Sequence, residues 1–244
     1  MKKVGLIGNG GRQHAPALKQ GGDVELNHSI DKPERRHLNY IIIDTDAGVD
    51  DAIALMLALG DSNTKVEAVT TVAGNVDVDR VTHNVGIVLD RMGADAPIFH
   101  GCDRPLIGER IHAAGVHGED GLGDSNLPPS KRAVHSQHAA LAMARLARER
   151  PGELSLVALA PLTNVALAMR LDASFAANLK SVTVMGGAVQ AQGNSSPVAE
   201  FNVLADPEAA KIVLGAGVAD LSLLSWETTV KYPVPWAHGF LIKN

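Results

Sequence analysis

Ile41-Ile42-Ile43-Asp44-Thr45-Asp46-Ala47-Gly48-Val49-Asp50-Asp51 is the stretch from which the rest of the chain is read. Three apolar β-branched residues run into four carboxylates within eight positions, and Ala52 to Leu59 continue as an apolar helix former. A strand that delivers Asp44 and Asp46 to one edge, with a helix starting at Asp50, concentrates negative charge at one point. Like charges that close repel in a partly buried site, so a positive partner is expected among them. A divalent cation with oxygen ligands meets that need.

Outward from this stretch, strand and helix patterns alternate. Strands are predicted over Tyr40–Asp44, Val66–Val72, Pro97–His100, Leu154–Ala158, Ser181–Met185 and Leu221–Leu224. Helices are predicted over Asp50–Leu59, Asp79–Arg91, Ser136–Glu149, Leu162–Met169 and Pro207–Leu214. Alternation of this kind gives an α/β fold: an open, mainly parallel, Rossmann-like sheet with helices on both faces. Asp206-Pro207 is a helix start, with an N-cap side chain and proline at the first helical position. The glycine- and histidine-rich segment Gly101–Ser130 is too long for a plain connection and reads as a functional loop or lid. In open parallel sheets ligands bind beyond the carboxyl ends of the strands. Asp44 and Asp46, Thr71 to Asn75, Pro161 to Asn164, and Gly186 to Asn202 all fall there.

Composition excludes several classes of function. A chain of 244 residues accommodates one large α/β domain, and 45% hydrophobic with 3% aromatic residues means a core of Ala, Val, Leu and Ile. A net charge of −5 without a basic run argues against nucleic acid as partner. No apolar run approaches the roughly 20 residues of a membrane span. The lone Cys102 excludes an intrachain disulfide and, with no secretion signal evident, fits a cytoplasmic protein. Residues 1–38 differ in character from residues 39–244. They hold an apolar strand, Val4 to Ile7, a glycine-rich turn and a polar arm, Gly21 to Asn39, and are expected to be a non-functional extension or linker.

The segment Asp44-Thr45-Asp46-Ala47-Gly48-Val49-Asp50-Asp51 resembles the N-terminal signature of the metal-dependent nucleoside hydrolases, with Ala47 where that family most often has proline. The resemblance continues through Thr70-Thr71-Val72-Ala73-Gly74-Asn75 and Val116-His117-Gly118-Glu119-Asp120-Gly121-Leu122-Gly123. It then takes in Ala160-Pro161-Leu162-Thr163-Asn164, Val184-Met185-Gly186-Gly187, and Asn194 to Asn202 ahead of Asp206-Pro207-Glu208-Ala209. It implies hydrolysis of the N-glycosidic bond of a ribonucleoside to ribose and free base. It also implies a tightly held Ca²⁺, with Asp46, Asp51 and the backbone carbonyl of Thr163 as ligands, and Asp46 taking a proton from the metal-bound water. Asp50, Asn202 and Asn75 are then the groups around the ribose hydroxyls, and Asn194 and Glu200 the grip on the 5′-hydroxyl. Met185 becomes the apolar contact under the sugar and His117 the residue of the loop over the base. A role in purine or pyrimidine salvage and a homodimer or homotetramer follow from the same resemblance.

The chemistry suits the residue set. Cleavage of an N-glycosidic bond passes through an oxocarbenium-like sugar, which surrounding carboxylates stabilise. Plainer readings stand beside these roles. Asp46 and Asp51 also fit as carboxylates at a helix N-terminus. Thr163 also fits as an ordinary helix start, and Asn194, Glu200 and Asn202 as turn and N-cap residues. Met185 also fits the core, His117 a solvated loop, and Cys102 a structural position. Asp44 reads as a buried hydrogen-bonding partner of the loop rather than a ligand.

Two departures from the family pattern set further expectations. No His-Asp pair follows Trp226-Glu227-Thr228-Thr229, since His238 precedes Gly239 and Phe240. The C-terminal part of the fold, with one carboxylate ligand, is therefore expected to be missing. That expectation yields an alternative function, a catalytically impaired nucleoside- or ribose-binding homologue. Val4 to Ala15 resemble the opening strand and loop of glycinamide ribonucleotide synthetase. A further alternative is a haloacid-dehalogenase-like phosphatase, which also begins strand-Asp-x-Asp, although Gly48 stands where that superfamily prefers Thr or Val.

Overall fold

The computed structural model describes residues 38–232. The predicted Val4–Ile7 strand, its glycine-rich turn, the polar arm through residue 37 and His238 lie outside the described residues. In chain order the elements are β1 (Asn39–Thr45), α1 (Val49–Gly60), β2 (Thr64–Thr71), α2 (Val78–Met92) and β3 (Ile98–His100). They continue with α3 (Ala114–His117), α4 (Ala139–Glu149), β4 (Leu154–Ala158), α5 (Thr163–Leu171) and α6 (Phe175–Asn178). The last are β5 (Ser181–Met185), α7 (Phe201–Ala205), α8 (Pro207–Leu214), β6 (Leu221–Leu224) and α9 (Trp226–Lys231).

The strands pair in parallel throughout, in the order β3-β2-β1-β4-β5-β6. This is a doubly wound sheet whose order reverses between β1 and β4, the switch point at which such sheets open a crevice at their carboxyl edge. Alternate residues of each strand therefore face different helix layers. On one face Ile42, Leu154, Leu156, Val182 and Val184 pack with α4, α5, α6 and α8; on the other, Ile43, Val69 and Ile98 pack with α1 and α2. Leu156 is fully buried in the first layer. Leu156→Ala is expected to lower unfolding free energy by about 3 kcal/mol through lost burial and the cavity left behind, which urea denaturation would measure.

The helices are stopped and started by identifiable residues. Asp77 caps α2 by accepting from the Arg80 amide at 2.9 Å, and Gly93 ends it at φ 59°. Helix α4 starts at Ala139, three residues later than the predicted Ser136, because the His138 ring caps it through the Ala140 amide. The sheet's second face is covered unevenly. On β5, Val182 and Val184 are buried against helices, whereas Ser181, Thr183 and Met185 remain half-buried.

The segment Gly101–Ser130, read as a loop or lid, contains α3 and is tied down at several points. Cys102 donates its amide to Asn164 Oδ1 at 2.9 Å and Leu106 donates to Asp206 Oδ2 at 2.9 Å. Ala113 donates to the Asn75 carbonyl at 3.1 Å, and Asn84 Nδ2 donates to the Asp120 carbonyl at 2.8 Å.

Candidate active site

The acidic stretch lies at the carboxyl end of β1, on one side of the switch point; Thr163, which opens α5 after β4, lies on the other. Asp44 is fully buried, and its Oδ1 accepts from Thr70 Oγ1 at 2.7 Å and Asn164 Nδ2 at 2.9 Å. Burial pushes its carboxyl up to about 7 despite those two donors. It is the buried hydrogen-bonding partner expected of it. A phosphatase built on the same Asp-x-Asp pair would need a first carboxylate that a phosphate can reach, and Asp44 is sealed.

Beyond the strand the chain turns sharply. Thr45 Oγ1 accepts from the Ala47 amide at 2.9 Å. Ala47 sits at φ 45°, a left-handed conformation in which an alanine is strained by about 1–2 kcal/mol. A proline ring cannot adopt it. Ala47 is therefore more than a softer stand-in for the family's proline, because this loop takes a path closed to that residue. The turn brings Asp46 back over Gly74, and Asp46 accepts from the Asn75 amide at 2.8 Å.

Asp46 and Asp51 are both buried beside one another at this turn, and the charge of Asp46 helps push the Asp51 carboxyl up. Asp51 reaches back to the Gly48 amide through Oδ2 at 2.9 Å, the glutamate-like half of a capping box. Its Oδ1 is buried without a partner among the described residues. Burial pushes Asp46 up to about 7, and burial followed by the charges of Asp46 and Asp50 pushes Asp51 well above the usual carboxylate range. Two neighbouring buried carboxylates with one oxygen unpaired call for either retained protons or a cation between them. The pair thus fits a hard cation by its donor chemistry. Among the described residues no three His, Cys, Asp or Glu side chains converge in ligand geometry. The remaining oxygens of a 6–8-coordinate ion must come from carbonyls, water or substrate.

Gly74 is needed for this approach. A Cβ there would lie 2.1 Å from Asp46 Oδ2, so Gly74→Ala must displace the carboxylate. We expect that variant to weaken cation binding at least tenfold and to cost about 1–3 kcal/mol of stability. Calorimetry and thermal melting measure the two effects.

A ring of polar side chains borders the pair. A Cβ on Gly48 would lie 2.6 Å from Asn75 Nδ2, 2.9 Å from Asp50 Oδ1 and 3.0 Å from His117 Cε1, which places those three groups together. His117 Nδ1 accepts from the Val49 amide at 3.3 Å and lies 3.8 Å from Asp50 Oδ1. Asp50 itself is exposed.

The remaining predicted residues form a second group at the ends of β4 and β5. Asn202 Nδ2 donates to the Leu159 carbonyl at 2.8 Å and the Met185 carbonyl at 3.2 Å, and lies 3.4 Å from Met185 Sδ. Glu200 is buried and caps α7, accepting from the amides of Asn202 at 2.9 Å and Val203 at 3.2 Å, and from that of Gly187 at 2.7 Å. Asn194 is exposed, and its Oδ1 accepts from the Phe201 amide at 2.8 Å, closing the loop. The two groups are joined through Leu159, whose amide bonds the Asp44 carbonyl at 2.8 Å while its carbonyl holds Asn202.

Asp206 is the N-cap of α8 that the sequence marked, accepting from the Ala209 amide, but its other contacts and those of Glu227 escaped the sequence reading. Asp206 is buried and accepts from Thr163 Oγ1 at 2.6 Å, from Leu106 and from the Ala209 amide at 2.9 Å. Glu227 accepts from the amides of Gln190 at 2.6 Å and Val189 at 3.2 Å, pinning the loop that carries Asn194. The Ser225 hydrogen bond, with these amides, holds its carboxyl down at about 2. Cys102, read as structural, has His138 Nε2 4.0 Å from its sulfur. Burial nevertheless pushes the thiol up to about 12, and it stays protonated and unreactive.

The family model for inosine-uridine preferring nucleoside hydrolases matches residues 41–241. A probable uridine nucleosidase 2 of Oryza sativa subsp. japonica is 43% identical over 194 residues, covering 78% of this chain and 57% of the rice protein. The inosine-uridine preferring nucleoside hydrolase of Leishmania major is 39% identical over 193 residues, covering 78% of this chain and 59% of its own. The solved structure of an inosine-guanosine nucleoside hydrolase superposes with a TM-score of 0.77 at 42% identity, over 81% of this chain and 65% of the other. The chain thus spans less than two thirds of the length of these relatives. The doubly wound sheet, the acidic turn after β1 and the ordered match from β1 onward agree, and the chain belongs to the inosine-uridine preferring nucleoside hydrolase family.

Proposed function

We propose that the protein hydrolyses the N-glycosidic bond of ribonucleosides, with a divalent cation held by Asp46, Asp51 and the backbone carbonyl of Thr163. Ca²⁺ is the ion of choice for an all-oxygen site of flexible geometry. The observation that carries the reading is the pair of neighbouring buried carboxylates, Asp46 and Asp51, with the Asp51 Oδ1 oxygen unpaired. When bound, the ion supplies a water of lowered pKa and accepts vicinal hydroxyl oxygens of the ribose.

Asp46 takes the proton of the attacking water. The water oxygen bonds to C1′ as the bond from C1′ to the base nitrogen breaks, giving ribose and a base that takes up a proton. Asp50, Asn75 and Asn202 orient the ribose hydroxyls, while Glu200 and Asn194 hold the 5′-hydroxyl. Met185 lies under the sugar and His117 over the base. Charge developing on the sugar is stabilised by the surrounding carboxylates. The same reading makes the protein a cytoplasmic salvage enzyme acting as a homodimer or homotetramer, to which its single cysteine and lack of basic runs are suited.

Incubation with uridine and inosine tests the proposal. Reducing sugar should be released, and release should stop on chelation and resume with Ca²⁺. Chelator-insensitive release contradicts the cation's role. Calcium-dependent nucleoside binding without any release would identify a binding protein instead.

A further inference from the structure

We infer that Asn164 is a positioning residue that sets the width of the cation site, an inference that rests on the assignment of Asp46 and Thr163 to that site. Asn164 is fully buried and uses both amide donors and its carbonyl oxygen. Its Nδ2 donates to Asp44 Oδ1 at 2.9 Å and to the Thr71 carbonyl at 2.9 Å, and its Oδ1 accepts from the Cys102 amide at 2.9 Å. The partners end or follow β1, β2 and β3, and Asn164 itself follows β4. One side chain therefore ties together the carboxyl ends of four neighbouring strands in sheet order, across the switch point.

The position of this tie within the sequence gives it its role. Asp44 stands two residues before Asp46, and Asn164 stands one residue after Thr163. The Asn164–Asp44 hydrogen bond is thus the short cross-link between the two backbone segments from which the proposed ligands project. The packing leaves no slack. A Cβ on Gly101 would lie 2.3 Å from Asn164 Oδ1 and 2.3 Å from the Thr71 carbonyl, so the amide is clamped from above as well. Groups held this way orient ligands without touching the ion, and loss of such partners characteristically weakens metal affinity about 10–100-fold.

The experiment compares the calcium-induced rise in Tm, and calcium affinity by calorimetry, among the wild type and four variants. Asn164→Asp keeps the size of the side chain but removes the two amide donors and sets a second buried carboxyl against Asp44, so at most one of the two donated hydrogen bonds survives. Gly101→Ala pushes the same amide from the other side. Val213→Ala removes fully buried core packing on α8 and serves as the matched destabilisation. The double swap Asp44→Asn with Asn164→Asp restores an amide–carboxylate hydrogen bond across β1 and α5. Asn164→Asp and Gly101→Ala are expected to lose at least tenfold in calcium affinity and most of the Tm rise. Val213→Ala should lower Tm yet keep the full rise, and the swap should recover part of the affinity. An Asn164→Asp protein with the wild-type rise overturns the inference, as does a Val213→Ala protein that loses as much. A wild type with no calcium response overturns the cation assignment itself, and the inference with it.

Discussion

Asp46→Asn is expected to abolish nucleoside cleavage while making the cation-free protein more stable at pH 8. The two effects have one source. Asp46 is a buried carboxylate, and burial pushes its carboxyl up to about 7 from 3.8. The fold holds the Asp46 proton more tightly than the unfolded chain does, so its contribution to stability is present below about pH 4 and is lost as pH rises to about 7 and above. At pH 8 the ionised form is a cost the fold carries. Asparagine keeps the shape, and its Oδ1 can still accept the Asn75 amide, but it removes the charge. Unfolding free energy at pH 8 should rise by about 1–3 kcal/mol and its decline between pH 5 and 8 should flatten. Cleavage should fall at least about 10³-fold, because proton acceptor and cation ligand go together. Urea denaturation at several pH values and a reducing-sugar assay read both. A variant that loses activity and stability together would make Asp46 a structural residue.

Glu200→Gln should cost more in folding than any other isosteric change in the site. The Glu200 carboxylate accepts three backbone amides with its two oxygens, two of them at the first turn of α7. In either orientation the glutamine NH₂ faces at least one of those donors. A buried donor left unpaired beside another donor costs about 2–3 kcal/mol, equivalent to roughly 5–10 °C in Tm for a domain of this size. The loop from Gly187 to Asn202 should loosen with it, and the Michaelis constant for a nucleoside should rise about tenfold. Glu200→Asp, whose shorter arm cannot span the amides of Gly187 and Asn202 at once, should recover little. Thermal melting and steady-state kinetics check both parts.

The sheet was legible because its strands are short apolar runs bounded by turn residues. The spans read for β4, β5 and β6 coincide with the observed ones. Helix positions followed from apolar periodicity, with ends shifted where an unexpected side chain capped them, as His138 does for α4. Helix α7 was missed because five residues show no periodicity and because glutamate is an unusual N-cap. The acidic turn declared its charge and position, but not the left-handed Ala47 nor the burial of Asp46 and Asp51, which depend on how the turn folds over Gly74. Asn164 stood within a quoted motif and still escaped notice. Its partners lie 62 to 120 residues away, and a role made of long-range hydrogen bonds leaves no local signature.

Calorimetric titration of the chelator-treated protein with Ca²⁺ at pH 6 and pH 8 tests most directly the proposed replacement of protons by a cation between Asp46 and Asp51. Binding must displace protons from carboxyls that burial pushes above the usual carboxylate range, that of Asp46 up to about 7. The affinity should therefore rise about tenfold or more from pH 6 to pH 8, with proton release that diminishes toward pH 8. Equal affinity at the two pH values, or no calcium binding at either, would contradict it.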